Sequence, residues 1–134
     1  MSKHTVTSFD EELTHIDRLI RDMGDLAGSM VGAAIRSLVL SDNALAQRVI
    51  SDDVIMDARQ RELDDRAITL IGKRQPMAQD LRAVVGAIRM AGDLERIGDH
   101  VTNIAENAYY VVTGEQLPVS RPKIDETTLS VLAQ

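Results

Sequence analysis

Apolar residues in the first forty positions fall at Phe9, Leu13, Ile16, Ile20, Met23, Ala27, Met30, Ala34 and Leu38, mostly in alternating steps of four and three. That spacing belongs to a helix packed along a bundle seam. A second file, Leu19, Leu26, Ala33 and Leu40, repeats every seven residues and widens the apolar face. The pattern predicts one long helix over residues 8–40, roughly 50 Å at 1.5 Å per residue. Ser8, with Glu11 three residues on, reads as a capping box at its start. Gly24, Gly28 and Gly32 weaken the helix locally, and close packing against a neighbour would use their small size.

Ser41, Asp42 and Asn43 interrupt the pattern and supply caps for a short helix over 44–50. Ser51, Asp52 and Asp53 read as a second corner, followed by a helix over 53–72 in which Met56, Leu63 and Leu70 recur every seven residues. Pro76 disfavours helix in Gln75 and suits a first helical position, so Lys73 to Pro76 form a compact break. A last helix then runs over 77–113, with Gly114 as its terminating residue. Residues 1–114 are therefore expected to form one three-helix bundle, and 115–134, with Pro118 and Pro122, a tail.

The last helix is unusual in phase. At about 100° per residue, Leu81, Val85, Ile88, Gly92, Glu95, Asp99, Asn103 and Glu106 share one direction to within about 40°. Carboxylates thus continue an apolar line instead of occupying a wet face. Ala83, Ala87, Met90, Leu94, Ile97, Val101, Ile104 and Ala108 form a second apolar face. Two such faces ask for packing on both sides, so a partner surface is implied.

Composition narrows the function. The 134 residues carry 21 acids against 15 bases, a net charge of −6, and no dense basic block, which argues against broad nucleic-acid binding. There is no Cys, hence no disulfide framework, zinc ribbon or thiol nucleophile. No apolar run is long enough for a membrane span, and the first residues lack an apolar signal core, so a cytoplasmic protein is expected. With no Trp, one Phe and two Tyr, aliphatic residues, Met and Ala must fill the core.

The chemistry on offer is carboxylate chemistry. Glu95 and Asp99 stand one helical turn apart, and Asp53 and Asp57 repeat that spacing. Asn103 and Glu106 lie further along the first pair's line as possible additional ligands. Hard oxygen donors of this kind suit Mg²⁺, Mn²⁺, Ca²⁺ or iron. The plainer reading makes Arg96 and its neighbours their salt-bridge partners, with Asp53 and Asp57 placed early in a helix for dipole reasons. His100 is either a solvent-side histidine or a metal or proton-transfer group. Arg82, Arg89 and Arg96, seven apart, either pair within the chain or bind an anion. No nucleophile constellation or phosphate-binding glycine loop is present, so no enzyme is expected.

Two segments carry a resemblance. Arg74, Gln75, Pro76, Met77, Ala78, Gln79, Asp80, Leu81 and Arg82 form one, and Asp93 through His100, with Glu95, Arg96, Ile97, Gly98 and Asp99 as its centre, the other. In order and spacing they resemble the PhoU family, accessory regulators of bacterial phosphate-specific transport. The resemblance implies an all-α, up-down bundle of long antiparallel helices, here one repeat where members have two. It implies a metal role for Glu95 and Asp99, with Asp53 and Asp57 the weaker pair; divalent or iron-type ions are possible and none is essential. It implies a negative regulator of phosphate uptake and starvation signalling that touches the transporter's ATP-binding subunit and a phosphate-sensing histidine kinase. Members reach the membrane only through such partners, bind no nucleic acid, and many are dimers. After Asp99 the chain resembles the end of the second repeat, so a join within the shared motif is expected, leaving a face for a homodimer. The alternatives are a metal-binding bundle, or a structural dimerisation module without signalling.

Overall fold

The computed structural model describes residues 3–115, and side chains from residue 8. Three long helices make up this part: α1 (Lys3–Val39), α2 (Asn43–Arg74) and α3 (Ala78–Thr113), each packed against the other two. Among the described residues there is no strand. The described residues form an all-α, up-down-up bundle of three helices.

Two tight corners set that topology. At the first, Ser41 takes a left-handed conformation (φ 52°), and the Asp42 N–H donates back to the Ser37 carbonyl over 3.0 Å. The Asp42 carboxylate then accepts from the Ala44 and Leu45 N–H groups at 3.0 and 3.2 Å, satisfying the orphan donors of α2. At the second, Gln75 is left-handed (φ 45°) and its N–H donates to the Ile71 carbonyl. Arg74 fastens this corner to α1: one guanidinium nitrogen donates to the Ser8 hydroxyl at 2.8 Å and lies 3.9 Å from the Glu12 carboxylate.

Several sequence expectations need correction. Ser8 is not a helix cap, because α1 begins at Lys3 and the Ser8 hydroxyl serves Arg74 instead. Ser51 to Asp53 is not a corner: α2 is continuous, with the Ser51 hydroxyl bonded to the Gln47 carbonyl and Arg48 beside Asp52 one turn on. Nothing there breaks a helix once tertiary packing supports it, whereas polar residues alone merely resemble a cap. Pro76 lies just outside α3, whose cap is Met77 with no side-chain hydrogen bond. Gly24, Gly28 and Gly32 are not required by packing inside the bundle, since a Cβ on any of them would meet nothing within 4 Å.

The core is aliphatic and sulfur-rich. Met23, Met30, Met56, Leu63, Leu70 and Val84 are completely buried, while the ring-bearing Phe9 and Tyr109 pack only at its edge. Unbranched Met fills irregular gaps that rigid rings would not. At Gly98, α3 lies close against both α2 and α1: a Cβ there would lie 2.9 Å from Asp53 Oδ1, 3.5 Å from Met56 Cγ and 3.7 Å from Met30 Cε. The buried Thr102 hydroxyl donates to the Gly98 carbonyl at 2.7 Å. Gly98 thus lets two helices approach at the level where the acidic residues sit.

Candidate metal centre

Asp53 and Asp57 face α3 from one turn of α2, and Asp99 faces α2 from α3. One carboxylate oxygen from each lies within 4.8 Å of the other two. Ions of the Mg²⁺ and Ca²⁺ type bind oxygen at about 2.0–2.6 Å, so oxygens on opposite sides of one ion stand roughly 4–5 Å apart. The three aspartates therefore could coordinate one metal ion. Asp53 is the anchor, 1% exposed on the core side, while Asp57 and Asp99 are half-buried towards solvent.

Glu95 completes the cluster. It is half-buried one turn before Asp99, and its acidity reports the crowding: its pKa is raised from 4.5 to about 8. Burial is the largest cause, followed by the hydrogen bond and negative charge of Asp99, then those of Asp57. A proton held by Glu95 lets like-charged groups share the site; a cation would serve the same end. Asp64, two turns further down α2, also has a raised pKa, from burial and then the charge of Asp65.

The two acidic pairs thus converge, which neither pair's spacing alone could show. Arg96, named in the surface salt-bridge reading, reaches Asp93 at 3.5 Å on the exposed side of α3. The remaining residues fall elsewhere. Asn103 is exposed and Glu106 half-buried; neither joins the group of three, although Glu106 Oε1 is buried with no hydrogen-bond partner. His100 is exposed. Asp80 sits in the first turn of α3, Leu81 at the bundle's edge, and exposed Arg82 donates to the Ala78 carbonyl. Arg74, Gln75 and Pro76 build the corner and lie far along α2 from the cluster. Sequence reasoning missed the contact between Gly98 and Asp53; its only trace was a glycine interrupting an otherwise helix-favouring segment.

No described helix is long and apolar enough to cross a membrane. Residues 20–108 match the family model described as PhoU domain. A phosphate-specific transport system accessory protein PhoU homolog of Rhizobium meliloti (strain 1021) is 50% identical over 115 residues, 86% of this chain and 48% of that protein. The homolog of Caulobacter vibrioides (strain NA1000 / CB15N) is 38% identical over 117 residues, covering 87% and 51%. The PhoU protein of Edwardsiella tarda is 32% identical over 134 residues, covering 98% and 55%. The chain spans about half the length of these curated relatives.

Proposed function

The chain belongs to the PhoU family, and on that premise we propose that it is a non-enzymatic negative regulator of phosphate uptake and phosphate-starvation signalling. It works in the cytoplasm by contact with other proteins, the phosphate transporter's ATP-binding subunit and the phosphate-sensing kinase foremost. The observation that carries this reading is the similarity over most of the chain to proteins named as accessory to phosphate-specific transport. Regulation here means presenting a rigid helical surface, for which a three-helix bundle without a nucleophile is suited.

Asp53, Asp57 and Asp99, with Glu95 at their rim, would hold a hard divalent or iron-type cation on that surface. Such an ion would offset the crowded negative charge and tie α2 to α3. Support comes from the three oxygens' mutual distances and the raised Glu95 pKa. The second reading, a metal-holding bundle without signalling, rests on the same cluster.

Co-purification separates them. The tagged chain, incubated with the transporter's ATP-binding subunit and with the kinase, is expected to retain at least one; retention of neither, from folded protein, overturns the regulatory reading. Titration calorimetry with Mg²⁺, Mn²⁺ and Fe²⁺ is expected to give heat with the native chain and at least tenfold weaker binding in Glu95→Gln/Asp99→Asn. Equal binding by both would remove these residues from the metal role.

A further inference from the structure

The three arginines repeated every seven residues on α3 do not share one role. Arg82 is tied to its own helix, its Nε donating to the Ala78 carbonyl at 3.3 Å. Arg96 lies 3.5 Å from Asp93, but both side chains are 70% exposed, so water and salt loosen that pair. Arg89 is exposed and makes no ion pair with another described residue, and the same holds for Arg61 on α2. Guanidinium groups left in this way are available to an anion.

Gly92 is the point they surround. Arg89 precedes it by three residues and Arg96 follows it by four, so both stand within about 60° of it around α3. Long helical side chains lean towards the N-terminus, which carries Arg96 back over Gly92. Across the groove stands Gln60 of α2: a Cβ on Gly92 would lie 4.0 Å from its Nε2. The Gln60 amide thus looks into a gap where α3 has no side chain. Asp57 faces α3 three residues before Gln60, and Asp64 follows four residues after it, so both share its bank of the groove. Arg61 lies on the solvent side of that bank. Asp64 Oδ1 is buried without a hydrogen-bond partner among the described residues. Its pKa is raised by burial and then by the charge of Asp65, with no cation offsetting them.

We propose that this groove, floored by Gly92 and rimmed by Gln60, Asp64, Arg61, Arg89 and Arg96, binds inorganic phosphate. The arginines supply charge, the Gln60 amide donates to one oxygen, and the missing side chain at Gly92 leaves room for a small anion. Asp64 selects which anion. Phosphate near neutral pH keeps an O–H that a carboxylate can accept, whereas sulfate has none and meets the same carboxylate as repulsion. A site built to bond such a hydroxyl rejects the analogue that lacks it. A long polyanion would meet the chain's net charge of −6 beyond the groove, so a small ion suits it better. The meaning of the site rests on the phosphate-regulator reading, to which it adds a ligand; the side chains that form it do not.

Titration of the full 134-residue chain with sodium phosphate, near neutral pH and at low ionic strength, tests it. Two readouts are followed, calorimetric heat and the nitrogen-15 shift of the Gln60 side-chain amide. Saturable binding is expected, at least tenfold tighter than for sodium sulfate. Arg89→Gln/Arg96→Gln is expected to weaken it at least tenfold, and Arg82→Gln, one heptad outside the site, by less than twofold. Asp64→Asn is expected to narrow the gap between phosphate and sulfate. Circular dichroism checks that each variant keeps its helices. Absence of saturation in both readouts overturns the proposal, as does sulfate bound as tightly as phosphate by the native chain. Equal losses in Arg82→Gln and the double variant also overturn it, because they would report diffuse charge. Phosphoserine bound more tightly than inorganic phosphate overturns the free ion as the ligand. Retention of the transporter subunit or kinase is a separate measurement, so the regulatory reading and this site fail independently.

Discussion

Gly98 and Glu95 show how much one position decides. Ala in place of Gly normally favours a helix by about 0.8–1 kcal/mol. At Gly98 the added Cβ would press on Asp53 Oδ1 at 2.9 Å, a short side chain 1% exposed and unable to swing into solvent. Overpacking of this kind costs about 1–3 kcal/mol, so steric conflict outweighs propensity. Gly98→Ala is therefore expected to lower stability in urea denaturation by about 1 kcal/mol. Gly32→Ala, with open space around its Cβ, is expected to raise it by about 0.5–1 kcal/mol. Glu95 adds a pH signature. Its folded pKa of about 8 lies above the ordinary 4.5, so its contribution is fully present below pH 4.5 and is lost as pH rises through 8. Without metal, thermal stability should fall across that window, by less than the ceiling of about 1.4 kcal/mol per pH unit because the group is partly exposed. Glu95→Gln should flatten this fall.

Within the elements, the periodicities of α1 and α3 were legible in sequence because a seam in steps of four and three has no other reading. The boundaries were less so. Ser51, Asp52 and Asp53 carry cap-like residues, yet α2 passes through them because Asp53 is held against α3 and Met56 against the core. A local signal cannot reveal that a buried carboxylate has a tertiary purpose. The corner at Gln75 shows the reverse case: Pro76 announced a break, and the left-handed Gln75 is the conformation it takes. Left-handed non-glycine residues cost about 1–2 kcal/mol. Gln75→Gly is expected to recover a net gain of about 0.5 kcal/mol in thermal denaturation, after the larger entropy of the unfolded chain. Met77 caps α3 without a side-chain bond and is 78% exposed. Met77→Asp is expected to stabilise by about 1 kcal/mol, measured the same way.

At the scale of the molecule, one aliphatic core serves three helices, and cutting into it should affect all of them together. Leu63 is wholly buried in the middle of α2, so Leu63→Ala is expected to cost about 2–5 kcal/mol and to unfold the bundle in one transition, followed by circular dichroism. The sequence by itself determined the all-α class, the long helices α1 and α3, the corner before α3 and the residue types able to bind a hard cation. Each of those rests on neighbours within a few positions, where spacing translates directly into a helix face. Only the tertiary structure decided that Asp53 and Asp57 meet Glu95 and Asp99, that Gly98 makes room for the meeting, and that α3 buries Ala87, Val101 and Ala108 while Met90, Ile97 and Ile104 of the same sequence face stay exposed. Those depend on how far one helix slides and turns against another, a choice set by packing across the whole core and absent from any local pattern.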